Sequence, residues 1–190
     1  ADKDYQLAAG ISQDVEADYS SVELTKARLR GLVLGLFGGF ISVHVLGIFE
    51  PVMDLHPELF FFTPLIAAMA GNVGVQSSAI IVQGLANNTI IGPVVERLLK
   101  ELSLSLLNGV ILSVILLAGS YFLLGYEIHV GYTVSIALLS VIIMASLIGT
   151  FIPIILNKYG VDPALATGPF ITTSNDILGI LTYFTIAKII

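Results

Sequence analysis

No cysteine occurs in the 190 residues. That excludes disulfides, thiolate metal sites and cysteine nucleophiles, and it leaves the redox compartment unread. Charge is nearly as scarce. Asp, Glu, Lys and Arg together make up 12% of the chain, about half the share usual in soluble domains. Only eight Lys and Arg are present, and the formal net charge is −6. Nucleic-acid binding needs clustered cations to displace counterions, so that class is excluded, whereas a protein that handles cations is not. Catalytic constellations are missing too. His44, His56 and His129 fall in different segments, and no Ser–His pair, HExxH pattern or ATP motif stands out. The chain is not expected to be an enzyme. No basic, apolar, small-residue leader precedes the first polar stretch, and an opening at Ala1 rather than Met suggests a fragment or a processed chain.

What the chain has in abundance is apolar surface. Hydrophobic residues make up 56%, and the mean hydropathy is +0.95. A soluble protein of this length cannot hide so much apolar area, but a bilayer solvates the outer face of a bundle. The expected fold class is an all-α membrane protein, one compact bundle of five transmembrane helices. The five apolar segments are 29–49, 61–86, 103–124, 131–156 and 164–188, each long enough for a hydrocarbon core of about 30 Å. Polar, Gly or Pro punctuation separates them, and the linker Asn87–Leu102, with Pro93, Glu96, Arg97, Lys100 and Glu101, suits a short interfacial helix. No internal repeat is evident. Residues 1–27 are polar and acidic; the stretch from Asp14 to Arg30 lacks Pro and Gly, which fits an amphipathic helix entering the membrane or a solvated linker. With five spans, Lys3, Lys26, Arg28, Arg30, Arg97, Lys100 and Lys158 fall on one side and Lys188 on the other. The positive-inside rule then puts the N-terminus in the cytoplasm and the C-terminus outside. The outer loop after the first span holds Glu50, Asp54, His56 and Glu58 and no Lys or Arg.

Inside a bilayer the informative residues are the expensive ones. Asp176 sits near the middle of the fifth segment, where an acid costs about 2.5–3.5 kcal/mol on insertion scales. No Lys or Arg shares the interior of that segment, so the carboxyl must be neutral, face water or bind a cation. Its neighbours Thr172, Thr173, Ser174 and Asn175 are polar as well. Thr172 lies one turn before Asp176 on the same face. Pro169 is expected to free a backbone carbonyl near Leu165. Asp162 lies fourteen residues before Asp176, about 21 Å and nearly four turns along one helix, so a single polar stripe is expected from Asp162 to Asp176. The second segment offers another stripe. Asn72 and Gln76 are one turn apart, beside a small-residue ridge of Ala70, Gly74 and Ser78; helix packing and pore lining are both open to them. Gly31, Gly35 and Gly39 in the first segment read as packing, and His44 reads as a structural histidine.

The ligands on offer are carboxylate, hydroxyl, amide and backbone oxygens, which suit hard dications. Mg²⁺ holds its water tightly and uses few carboxylates, so one Asp per chain fits it better than a multi-acid cage. Mn²⁺, Co²⁺ and Ca²⁺ are further candidates. A symmetric dimer would bring two Asp176 carboxylates to one axis, while a monomeric carrier is equally compatible with five helices.

Two stretches resemble a known family. Gly71-Asn72-Val73-Gly74-Val75-Gln76-Ser77 resembles the G-N-x-G-x-Q-[ST] signature in the second helix of the MgtE family of magnesium channels. Asp162-Pro163-Ala164, then Gly168-Pro169 and Thr172-Thr173-Ser174-Asn175-Asp176, resembles that family's fifth helix. The resemblance implies a homodimeric pore in the cell membrane, lined by helices two and five. It implies Asp176 as the central ion ligand and Thr172 as a nearby residue whose backbone oxygen approaches the hydrated ion. Asp162 matches an acid at the cytoplasmic pore end, and Gly71 and Asn72 match the pore-facing part of helix two. With Gln76, Thr173 and Asn175 these complete the expected pore lining. Family members normally carry cytoplasmic N and CBS domains that bind Mg²⁺ and close the pore through a connecting helix. Those domains are absent from this sequence, and residues 1–27 look like the end of that helix, leaving 28–190 as the pore domain. The resulting expectation is a channel passing Mg²⁺ into the cell, with Asp176 binding a largely hydrated ion; a proton- or sodium-coupled carrier is the alternative.

Overall fold

The computed structural model describes residue 6 and residues 9–11, 15–90, 92–166 and 168–190. Its elements are helices, with no strand among the described residues. Residues 15–20 form turns and bends rather than helix. Helix α1, Ser21–Ile48, starts at a capping box: the Ser20 hydroxyl accepts the Glu23 N–H, and the Glu23 carboxylate accepts the Ser20 N–H at 3.1 Å. Two orphan donors of the first turn are thereby satisfied. The one-and-a-half-turn α2, Glu50–Leu55, follows at once.

Helix α3, Glu58–Ala86, contains Pro64. Helix α4, Val94–Ala118, continues into a widened π turn over Gly119–Leu123. The interfacial helix expected between Asn87 and Leu102 is not a separate element: once Pro93 has set the start, the helix runs unbroken into the apolar segment. Helix α5, Ile128–Lys158, and α6, Pro169–Ile189, complete the bundle, with a 3₁₀ turn over Pro163–Ala166 between them.

Helix α5 is central. It packs on α3, α4 and α6, and half of its most apolar 18-residue window is buried, against 6% for α1. Ile66, Ala70, Val134, Val141, Ala145, Tyr183 and Phe184 form a fully buried core. The Tyr183 hydroxyl in this core has a partner, donating to the Leu59 carbonyl at 2.9 Å. Close backbone approach relies on glycine. A Cβ on Gly149 would run into the carbonyl of Gly74, and one on Gly179 would lie 2.7 Å from the Ala70 Cβ. The small-residue ridge on α3 is therefore a packing surface, as its spacing implied.

The helices alternate in direction. Leu59 at the start of α3 meets Tyr183 near the end of α6, and Phe49 after α1 stacks on Phe184, 5.5 Å between ring centres. At the other end, Ser77 of α3, Glu101 of α4 and Ser146 of α5 meet. Lys26, Arg28, Arg30, Arg97, Lys100 and Lys158 belong to that second end and Lys188 to the first. The outer faces of α1 and α4 are apolar and exposed, with Leu32, Phe37, Phe40, Leu107, Val114 and Ile115 each more than half accessible. In water such surface is an aggregation hazard; in lipid it is solvated.

Among the described residues, four helices are long and apolar enough to cross a membrane: α1, α3, α4 with its π turn, and α5. The chain is thus a multi-pass membrane protein. The fifth expected span, 164–188, is a helix only from Pro169, and its polar run Thr172–Asp176 keeps it outside that set.

Candidate ion site and its cavities

Helix α6 begins where Gly168 takes φ +61° and ψ −134°, a conformation that suits a residue without Cβ. Pro169 then occupies the first helical position. Its missing N–H would have had no partner there in any case. The expected freed carbonyl near Leu165 therefore does not arise. Thr172 closes the first turn, its N–H donating to the Gly168 carbonyl at 3.0 Å. The same geometry corrects the expected stripe from Asp162 to Asp176. Asp162 precedes the 3₁₀ turn, and its Oδ1 accepts the Ala164 N–H at 2.9 Å. The two acids belong to different elements, because the glycine and the proline reset the chain between them.

From that start, one face of α6 meets two cavities. The first, about 430 Å³, lies between α3 and α6 and is lined by Gly71, Asn72, Val75, Gln76, Thr172 and Asp176, with Ala67 and Ala68. The second, about 890 Å³, lies between α1 and α6; Thr172, Thr173 and Asp176 form its α6 wall, and Arg28, Gly31 and Gly35 line its α1 side. Asp176 and Thr172 belong to both. The carboxylate lies over Gly71: a Cβ there would be 3.1 Å from Asp176 Oδ1 and 3.3 Å from Thr172 Cγ2. Glycine at 71 is what lets α3 come this close beneath the acid.

Asn72 and Gln76 are exposed and directed out of the bundle, and Asp176, Thr172 and Thr173 are half-buried. Asn175, expected on the pore wall, is instead fully buried against Gly74, with neither amide atom hydrogen-bonded, and it lines neither cavity. Thr173 packs on Gly38 as well as lining the second cavity. Of the three glycines expected to pack in α1, Gly31 does so, a Cβ there falling 2.7 Å from the Gly10 carbonyl oxygen, while Gly35 and Gly39 meet nothing within 4 Å and Gly38 packs in addition. His44 is exposed rather than built into the bundle.

Among the described residues no three His, Asp or Glu side chains gather to cage a metal. The side-chain oxygens lining the two cavities beside the Asp176 carboxylate are the hydroxyls of Thr172 and Thr173 and the amides of Asn72 and Gln76, a set with a single acid, where Mg²⁺ sites use few carboxylates plus water. Sequence reasoning missed a second buried acid. Glu101 is 6% exposed, and its Oε1 accepts the Ser77 hydroxyl at 2.7 Å and the Ser146 hydroxyl at 2.5 Å. Ser77 directly follows Gln76, so this junction of three helices fixes the rotation of α3 at the first cavity. The signal was present in Arg97 four residues before Glu101, a spacing that puts the pair on one helix face.

An apolar helical bundle with a lone carboxylate above a glycine, flanked by polar groups on its outer face, defines a membrane protein of the ion-handling class. The family model described as MgtE, divalent cation transporter, matches residues 63–186. The chain belongs to the MgtE family of divalent cation transporters. The magnesium transporter MgtE of Bacillus subtilis is 38% identical over 188 residues, covering 98% of this chain and 42% of that protein. The magnesium transporter MgtE of Thermus thermophilus is 32% identical over 184 residues, 96% of this chain and 40% of that protein. That of Enterococcus faecalis is 32% identical, over 99% of this chain and 41% of its own length. The chain thus spans about two fifths of the length of these relatives.

Proposed function

We propose that the chain forms the pore of a passive Mg²⁺ channel, with two copies facing each other across an axis lined by α3 and α6. The observation that carries this reading is the exposed polar patch. Asn72 and Gln76 point outward beside Asp176 and Thr172 on one cavity, a cluster of four polar side chains, whereas His44 of α1 and Asn108 of α4, also exposed in mid-helix, are single polar groups on apolar faces. Polar side chains facing lipid are costly. A second copy over the patch converts it into a water-filled lumen and brings two Asp176 carboxylates to one dication.

Helix α6, with 21 residues, reaches about 31 Å and is the fifth span in this reading. The cationic end of the bundle is cytoplasmic, and Asp162 stands at the pore's inner mouth. Glu50, Asp54 and Glu58 at the opposite end raise the local concentration of cations. Asp176 attracts the ion through its water shell, aided by the Thr172 backbone oxygen. A dication crossing 100 mV gains about 4.6 kcal/mol, so no chemical fuel is required. The names of the relatives support magnesium as the cargo.

The test is flux into liposomes at a clamped potential. Asp176→Ala should reduce Mg²⁺ uptake at least a hundredfold while leaving the purified protein's melting point unchanged. Normal uptake by that variant would sink the assignment. Loss of wild-type flux when proton and sodium gradients are dissipated at fixed voltage would replace the channel by a coupled carrier.

A further inference from the structure

A third cavity, about 550 Å³, lies away from Asp176 between the ends of α3, α4 and α5. Arg97, Lys100 and Lys158 line it, with Glu96 as the one carboxylate. Cations commonly flank membrane spans, and Lys26 and Arg30 on α1 are of that kind, sharing a surface only with Leu29 and Val33. Arg97 differs. Its Nε is buried without a hydrogen-bond partner, and its Nη2 reaches Glu101 Oε2 only at 4.0 Å. Glu101 is already committed to Ser77 and Ser146 through its other oxygen. The guanidinium is thus held only loosely by Glu101 and has donors to spare at the edge of an apolar bundle, where a poorly partnered cation is expensive.

The cavity is also where α4 begins. Pro93 caps that helix without a side-chain hydrogen bond, leaving the positive end of a 25-residue helix at the same place. Leu85, Ile90, Val94 and Ile154 supply an apolar wall beside the cations. A freely soluble anion has no use for such a wall, whereas a headgroup continuous with acyl chains does. We propose that this cavity holds the phosphate of an anionic phospholipid, with Arg97 as the anchoring fork and Lys100 and Lys158 as flanking charges.

The experiment is thermal unfolding of the chain in detergent with short-chain phosphatidylglycerol, with phosphatidylcholine at the same mole fraction, or with phosphatidylcholine plus inorganic phosphate. A ligand that binds the folded state raises the midpoint. Phosphatidylglycerol should raise it for the unsubstituted chain and for the control K26Q/R30Q, and should do so at least tenfold less potently for K100Q/K158Q. Both of those lysines are exposed, so this variant should fold. Arg97→Lys, which keeps the charge and loses the fork, should fall between the two. A full shift in K100Q/K158Q, or an equal loss in K26Q/R30Q, would overturn the site in favour of general surface attraction. An equal shift from inorganic phosphate would overturn lipid as the occupant. Neither readout depends on transport, so the inference stands or falls separately from the channel reading.

Discussion

Asp176 gains its leverage from what is missing beneath it. A methyl group at residue 71 would lie 3.1 Å from the carboxylate oxygen and 3.3 Å from Thr172, tight enough to displace both side chains by a few tenths of an ångström. Gly71→Ala should therefore leave the bundle folded but weaken ion binding, raising the concentration for half-maximal Mg²⁺ flux by about tenfold, a cost of about 1.4 kcal/mol. Gly71→Val, with two more carbons, should abolish flux. Unchanged half-saturation in the alanine variant would mean that the ion does not visit this carboxylate. Asn175 gives the opposite case. Its buried amide makes no hydrogen bond, so Asn175→Leu, which keeps the branched skeleton but is bulkier, should change the melting point little, because removing an unpaired buried amide offsets the tighter packing. A large fall in melting point would show that the amide has partners in the membrane.

At the scale of elements, the helices that hold the site are tied together by one acid. Glu101→Ala leaves the hydroxyls of Ser77 and Ser146 without their acceptor, at about 1–3 kcal/mol for buried groups, and should lower the melting point of the solubilised protein markedly. Glu101→Gln keeps a carbonyl oxygen at the same place and should cost less; equal losses would mean that the charge rather than the hydrogen bonds holds the junction. This element was the least legible in the sequence. A Glu near a predicted span end, beside Arg97 and Lys100, reads as solvated, and only the fold shows that serines from α3 and α5 cover it. The start of α6 was hidden for a related reason. Apolar content continues through residues 164–168, yet a positive-φ glycine and a proline restart the helix, which moved Asp162 off the axis of Asp176. By contrast Asp176, Thr172, Asn72 and Gln76 stood out because polarity within an apolar run is costly enough to mark itself, and Gly71 stood out only through the family resemblance; all five line one cavity.

For the whole molecule the deciding quantity is which outer surface is polar. The apolar outer faces of α1 and α4 can meet acyl chains, but the patch bearing Asn72 and Gln76 cannot do so cheaply. Lipid solvates apolar groups and leaves amides unpaired. In the proposed dimer a second copy would cover that patch, and a twofold axis would make each contact reciprocal, so that residues beside the axis would face their own counterparts, Asn72 among them if α3 lines the axis. The absence of native cysteine makes this directly measurable. A single Asn72→Cys substitution should give a cross-linked dimer in membranes with a bifunctional thiol reagent, whereas a cysteine on the apolar outer face of α4, at Leu107, should not. A direct disulfide needs Cα atoms within about 7 Å, closer than the walls of a lumen that passes a hydrated ion, so that reagent should span about twice that distance, with mild oxidation alone as the companion probe. Linkage at Leu107 with none at Asn72 under either reagent would place the partner on the wrong face and leave Asp176 to serve a single chain.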